Sequence, residues 1–256
     1  AAMGIGTLRH EILWHQIEPS QGVHNWADHD LRVDAATAAG VEIVGLLGYG
    51  NPWASALGAA NNDYDYPPDD PQDFADFGAA VVARYGDRVS RWEIWNEQNA
   101  GYRFWKNEDS LFDGQPLEYG TLLAATYASI KGIDPGATVA FGGLFYLPQV
   151  IMGAEVFLAE TYAAHPTIGQ AFDVMAYHPY ALYPPVDPPE FEDLEFTIPL
   201  YPIDKTARRM RDVVVTHEGA PKPLWVTEIG WPTEDAITEE DHARFLVRSH
   251  ALLLSA

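Results

Sequence analysis

The chain of 256 residues carries 37 acidic against 15 basic side chains, a formal charge of −22, which excludes a nucleic-acid binder that relies on bulk positive charge. Hydrophobic residues at 47% with aromatics at 12% suffice to bury a large core, which excludes global disorder. Cysteine is absent, and with it go disulfides, thiol nucleophiles, Cys-ligated zinc and iron–sulfur chemistry, along with any clue to redox compartment. No apolar run approaches the roughly 20 residues of a membrane helix, and Ala1-Ala2-Met3-Gly4 shows no basic segment followed by an apolar one. A soluble domain, secreted or cytoplasmic, without membrane or nucleic-acid partners is the expectation. No linker or compositional break divides the chain, so residues 1–256 are expected to form one domain. The acidic excess, with only four Lys against 11 Arg, fits adaptation to high salt, where screening weakens self-repulsion, or an ordinary solvated surface.

In chain order, short β-branched or aromatic runs alternate with longer helical stretches, the pattern of parallel βα units. Strands are predicted at Thr7–Leu13, Val41–Leu47, Val89–Trp95, Thr138–Phe141, Phe172–Tyr177 and Pro223–Thr227. Helices are predicted at Asp28–Ala39, Pro71–Tyr85, Leu117–Lys131, Gln149–Ala164, Ile203–Thr216 and Glu239–Leu254. Gly40, Gly86 and Gly136 follow the first three helices, where the chain must turn into the next strand. Residues 183–202 hold six prolines among five acids, too many for a helix or a central strand, so a long loop is predicted there. Strand starts lie about 43 residues apart, and eight such units would need about 345 residues. The spacing therefore gives an α/β chain of about six long parallel units, too few for an eight-unit barrel.

Unusual residues gather at the carboxyl ends of these strands, the rim where parallel α/β barrels place their chemistry. Arg91-Trp92-Glu93-Ile94-Trp95-Asn96-Glu97 closes the third strand on an Asn-Glu pair, and Leu224-Trp225-Val226-Thr227-Glu228 closes the sixth on a Glu. One such Glu would most simply be a solvated loop residue. Two of them, three βα units apart and each flanked by Trp, make chance coincidence a poor account.

These stretches resemble the retaining glycoside hydrolases of clan A, which carry an acid/base Glu after an Asn on strand four and a nucleophilic Glu on strand seven. Trp14-His15-Gln16-Ile17-Glu18-Pro19, with Gly22, Asn25-Trp26 and Asp30, is similar to the segment after strand two in families 39 and 42. Leu47-Gly48-Tyr49-Gly50-Asn51-Pro52-Trp53 looks like their strand-three exit, and Phe172 to Tyr180, with its His-x-Tyr, like their strand-six segment. The resemblance implies Glu97 and Glu228 as catalytic residues about 5–5.5 Å apart, one attacking the anomeric carbon while the other protonates the leaving oxygen. A nearby cation and hydroxyl donor can hold one carboxylate ionised and so separate the two roles. By the same resemblance Glu97 is the acid, and Arg9 and Tyr180 hydrogen-bond Glu228. Asn96 would bind the sugar 2-hydroxyl and His178 would line the sugar site, against a turn residue and a core histidine as the plain alternatives. Trp53 and Trp231 are candidate stacking platforms as much as core residues. Tyr49 belongs to the same set, and Trp105, with Tyr102 and Phe104, is expected in an exposed aromatic loop after Glu97. Trp14 and Trp95 are assigned to packing. Glu93 shares strand parity with Glu97, so it is expected inside the barrel as a buried structural group.

The implied activity is retaining hydrolysis of β-glycosidic bonds in an oligo- or polysaccharide, with no cofactor and no metal. The segment that resembles strand two begins at Thr7, so the family's first and eighth strands lack counterparts, and the fold class the resemblance implies is an incomplete TIM-type α/β barrel of about six parallel strands with a wedge between the first and sixth. Exposed parallel edges invite pairing, which makes a homo-oligomer through this opening a further expectation. Two rivals stay open: a carbohydrate-binding barrel with little or no turnover, and a metal-dependent hydrolase, for which His10 and His178 make a poor ligand set.

Overall fold

The computed structural model describes residues 4–110, 112–145, 152–180, 203–230 and 238–254. Six parallel strands, β1 (Thr7–Leu13), β2 (Glu42–Gly48), β3 (Arg91–Asn96), β4 (Thr138–Phe145), β5 (Val174–His178) and β6 (Leu224–Val226), pair in chain order. This is an incomplete TIM-type α/β barrel, a curled sheet open between β1 and β6. Each of those two strands pairs on one side only among the described residues. The single chain lends no support to association through that opening. The predicted loop over 183–202 lies outside the described residues.

Helices α1 (Trp14–Ile17), α2 (Ala27–Ala38), α3 (Ala56–Asn61), α4 (Pro71–Tyr85), α5 (Pro116–Ile133), α6 (Ala154–Ala164), α7 (Ile203–Glu218) and α8 (Glu239–Leu254) connect or follow the strands. Local chemistry explains the longer ones. The Asp70 side chain accepts from Gln72 N, Pro71 sits in the first turn, and Phe74, Phe77, Val81, Val82 and Tyr85 form one buried stripe, so α4 is capped, started and packed by its own residues. α2 hands over to β2 through Gly40 at φ 68°, a left-handed position that favours glycine. Gly86 has an ordinary φ of −61°; what it supplies is room, because a Cβ would meet Val82 O at 2.7 Å.

The main core lies between the sheet and the helices, where Trp14, Phe74, Phe77, Trp92, Trp95, Leu123, Phe141 and Phe157 are buried together. A second, smaller apolar cluster of Ala140, Val174 and Ala176 with Trp225 is built on β4, β5 and β6. Two sheets of side chains therefore leave the same strands. Five predicted strands begin or end within a few residues of the observed ones, but β4 runs on to Phe145, past a register shift between Phe141 and Leu144. The short α1 and α3 were not predicted, since one or two turns carry too little periodicity to be read.

Candidate active site

The first half of β1 and the carboxyl ends of β3, β5 and β6 bring the polar residues of the motifs to one place. Glu97 is reached through an unusual backbone: Trp95 has φ 69° and Glu97 φ 49°, left-handed conformations that non-glycine residues adopt at a cost of about 1–3 kcal/mol and that concentrate at functional sites. The twist ends simple strand alternation, so Trp95 turns into the core against Phe74 and Trp105 while Glu97 faces His178. His178 Nδ1 lies 3.0 Å from a Glu97 oxygen and Nε2 3.0 Å from the Thr227 hydroxyl. Space for this imidazole comes from β4, where a Cβ on Gly143 would collide with the His178 ring.

Glu228 is held by two donors. Arg9 donates from Nη1 to one oxygen, and the Tyr180 hydroxyl donates to the other at 2.8 Å. The same guanidinium donates to Asn96 Oδ1 at 2.8 Å and to both oxygens of Glu93 at 2.8 and 3.1 Å. Burial works against the charged form of Glu228, but the charges of His178 and Arg9 and the hydrogen bonds from Tyr180 and Arg9 outweigh it and hold this carboxyl below its ordinary value. Burial likewise opposes the charge on Arg9, which Glu93 and Glu228 more than restore. The Tyr180 phenol is pushed up by burial and by its Glu228 partner, so it stays a donor.

Among the described residues, Glu97, His178 and Glu228 offer oxygen and nitrogen atoms that all lie within 4.8 Å of one another. One oxygen of Glu97 and one of Glu228 thus approach within 4.8 Å. The same trio is the arrangement nearest to a metal site, but its donors are committed. Both oxygens of Glu228 accept from Arg9 and Tyr180, and both His178 nitrogens have partners. A guanidinium bonded to Glu228 also repels a second cation.

The remaining predicted residues divide. The Tyr49 hydroxyl donates to Glu11 at 3.1 Å, and its ring stacks on Phe104 at 4.9 Å. Burial, with Glu11, pushes its phenol up. Trp53 is half-buried and tied to the chain after β1, donating to the Glu18 carbonyl at 2.9 Å and meeting Trp14 edge-on. Trp105 requires a correction. Expected on an exposed aromatic loop, it is only 1% exposed, edge-on against Trp95 and Tyr119 with its indole N–H donated to Gln115. The reason is non-local: those rings leave an apolar slot that one indole fills, and its edge borders a cavity of about 560 Å³ lined also by Tyr66, Lys106 and Glu118. Trp231 lies outside the described residues.

Sequence inspection missed three participants. Thr227 links His178 to Glu93, donating to the latter at 3.2 Å; its adjacency to Glu228 was the available signal. Glu11 is two residues beyond Arg9 on β1, in step with it. Arg103 places Nη1 4.0 Å from Glu97 and its guanidinium over the Phe104 ring at 4.4 Å.

No protein-family model and no curated protein sequence matches the chain. Solved structures do. A family 39 glycoside hydrolase from the gut symbiont Bacteroides cellulosilyticus WH2 matches with a TM-score of 0.65 at 21% identity, over 97% of this chain and 48% of that one. A family 39 β-xylosidase from Caulobacter crescentus matches at 0.66 and 20% identity, over 96% of this chain and 52% of that one. One of two fungal β-1,4-galactanases matches at 0.65 and 15% identity, over 100% and 75%. The chain spans about half the length of the first two. At these identities the likeness is one of fold, the glycoside hydrolase barrel that the strand-end motifs resemble.

Proposed function

We propose that this chain carries the active site of a retaining β-glycoside hydrolase acting on an oligo- or polysaccharide, with Glu228 as nucleophile and Glu97 as acid and base. The observation that carries the proposal is two carboxylates with oxygens within 4.8 Å of each other, one of them bound by Arg9 and Tyr180 and held below its ordinary value; retaining enzymes set such a pair about 5–5.5 Å apart. In the first step a Glu228 oxygen bonds to the anomeric carbon, the glycosidic bond breaks, and its electron pair leaves on the oxygen that takes the Glu97 proton. In the second, water gives a proton to Glu97 and its oxygen replaces Glu228 on carbon, which frees the carboxylate. Asn96, with its carbonyl turned to Arg9, has its amide N–H groups to offer the sugar 2-hydroxyl. The neighbouring xylosidase and galactanase support a β-linked substrate class.

One observation favours a second reading, a barrel that binds carbohydrate and turns it over poorly. Glu228 lies at the open edge of the sheet with 29% of its side chain exposed, against 4% for Glu97, and a misplacement of about 1 Å costs about 10²-fold in rate. Hydrolysis of aryl β-glucoside, xyloside, galactoside and cellobioside, by wild type beside Glu228→Ala with azide, decides between them. Loss of activity in the variant and its return as an α-glycosyl azide supports the retaining mechanism. A folded wild type that binds oligosaccharide and hydrolyses none of the panel supports the binding reading.

A further inference from the structure

The Glu93 side chain has no exposed surface. Its carboxylate nevertheless accepts from four donors on three other segments. These are Arg9 Nε and Nη2 at 2.8 and 3.1 Å from β1, Gly143 N at 2.9 Å from β4, and the Thr227 hydroxyl at 3.2 Å next to Glu228. A buried carboxylate needs only a partner to be tolerated. This one has a forked pairing with the guanidinium that also binds Glu228 and Asn96, a geometry that fixes direction as well as charge.

We propose that Glu93 is a positioning residue of the hydrolytic site, which aims Arg9 at Glu228 and remains as its counter-charge while Glu228 is esterified. The inference rests on the assignment of Glu228 as nucleophile. In the free site Arg9 lies between two carboxylates, and the three groups together carry one negative charge. Attack on the sugar consumes the charge of Glu228, and Arg9 with Glu93 is left as a neutral, forked pair. Without the Glu93 charge the glycosyl-enzyme would contain a largely buried guanidinium with no counter-charge, a costly arrangement. Glu228 would then be held more tightly as a free carboxylate, which makes it a weaker nucleophile and a better leaving group. A purely structural staple would have neither effect.

Glu93→Gln keeps the shape and removes the charge. Glu228 is faced by Arg9 from β1, Tyr49 after β2, Glu97 after β3, and His178 and Tyr180 at and after the end of β5; the Gln amide N–H turns one of the two accepting positions into a donor, so the variant loses part of the fork as well as the charge. Expected results are a ¹³C NMR titration of the Glu228 carboxyl moved down by about one pH unit and the acid limb of kcat/KM moved with it. Glycosylation should slow by about 10²-fold with no slowing of deglycosylation, so the variant's steady-state fraction of covalent species is below that of wild type. Glu93→Asp keeps the charge but shortens the reach. Its Glu228 titration should not fall below the wild-type value, since the charge remains, while kcat/KM falls about tenfold through misplacement of Arg9. A lowered Tm with an unmoved titration in Glu93→Gln, or a titration that moves up, overturns the inference. So does an Asp variant whose titration shifts as far as that of Gln. The NMR titration needs no turnover, so failure of the azide test would overturn the nucleophile assignment while the hold of Glu93 on Arg9 is still decided separately.

Discussion

The two carboxylates of the site are held in opposite ways. Glu97 leaves a strand in the middle of the sheet, next to the fully buried Trp92, Ile94 and Trp95, and its place is set by packing and by a left-handed turn of the backbone. Glu228 follows a three-residue strand at the sheet edge whose residues are all only half-buried, and its place is set by hydrogen bonds from Arg9 and Tyr180. Packing is spread over many contacts and survives the loss of one. A polar clamp at an edge has few members, each of which also tunes the charge it holds. The same side-chain type thus acquires two roles from two kinds of support.

The largest test of that contrast is removal of the carboxylates themselves. Glu228→Ala should lower hydrolysis of aryl β-glycosides by at least about 10⁴-fold, as loss of a nucleophile does, with recovery by azide. Glu97→Ala should cost about 10²–10⁴-fold on substrates with poor leaving groups and far less on dinitrophenyl glycosides, which need no proton. A flat loss across leaving groups would remove Glu97 from the acid role. For support by packing, Trp14→Ala should destabilise by about 3–5 kcal/mol in urea unfolding, because its ring is fully buried against Phe74 and Phe77. The half-buried Trp225→Ala at the edge should cost about 1–2 kcal/mol; equal losses would erase the distinction between centre and edge.

Two smaller effects sharpen the polar side. Tyr180→Phe removes a hydrogen bond to the charged form of Glu228, so the carboxyl should titrate higher and the acid limb of kcat/KM should rise by about half a unit. An unmoved limb would leave Arg9 as the sole clamp. On the outer face of β1, His10 and His29 meet ring nitrogen to ring nitrogen at 3.3 Å. Burial, with His29 and Arg32, lowers His10 from 6.5 to about 4; burial and Arg32 also lower His29, against Asp28 and Asp30. Both are neutral in the fold, so the stability they allow is complete above pH 6.5 and is lost as pH falls toward about 4. His10→Gln should flatten the dependence of Tm on pH in that window by a few degrees, and an unchanged slope would show that other groups set it.

Much of this was legible in the chain because it is written locally. A strand is a short run of β-branched and aromatic residues, and a helix start such as Asp70-Pro71 is a few atoms of chemistry, so both survive without knowledge of the rest. The Asn96-Glu97 and Thr227-Glu228 strand ends were legible for the same reason, since the rim of a parallel sheet is a position in the chain before it is a place in space. Trp105 was not, because whether a loop indole is exposed depends on rings contributed by β3 and α5. Thr227 and the reach of Glu93 were not, because their partners lie on other strands.

The sequence by itself determined the order of the elements, the parallel sheet and the residue types available for chemistry, since periodicity and turn preferences act over a few residues. Only the tertiary structure decided which groups meet. It brought Arg9, 219 residues from Glu228, between two carboxylates, and put His178 against Glu97 where Gly143 leaves room. Charge and hydrogen bonding act over a few ångströms of space, whatever the distance along the chain.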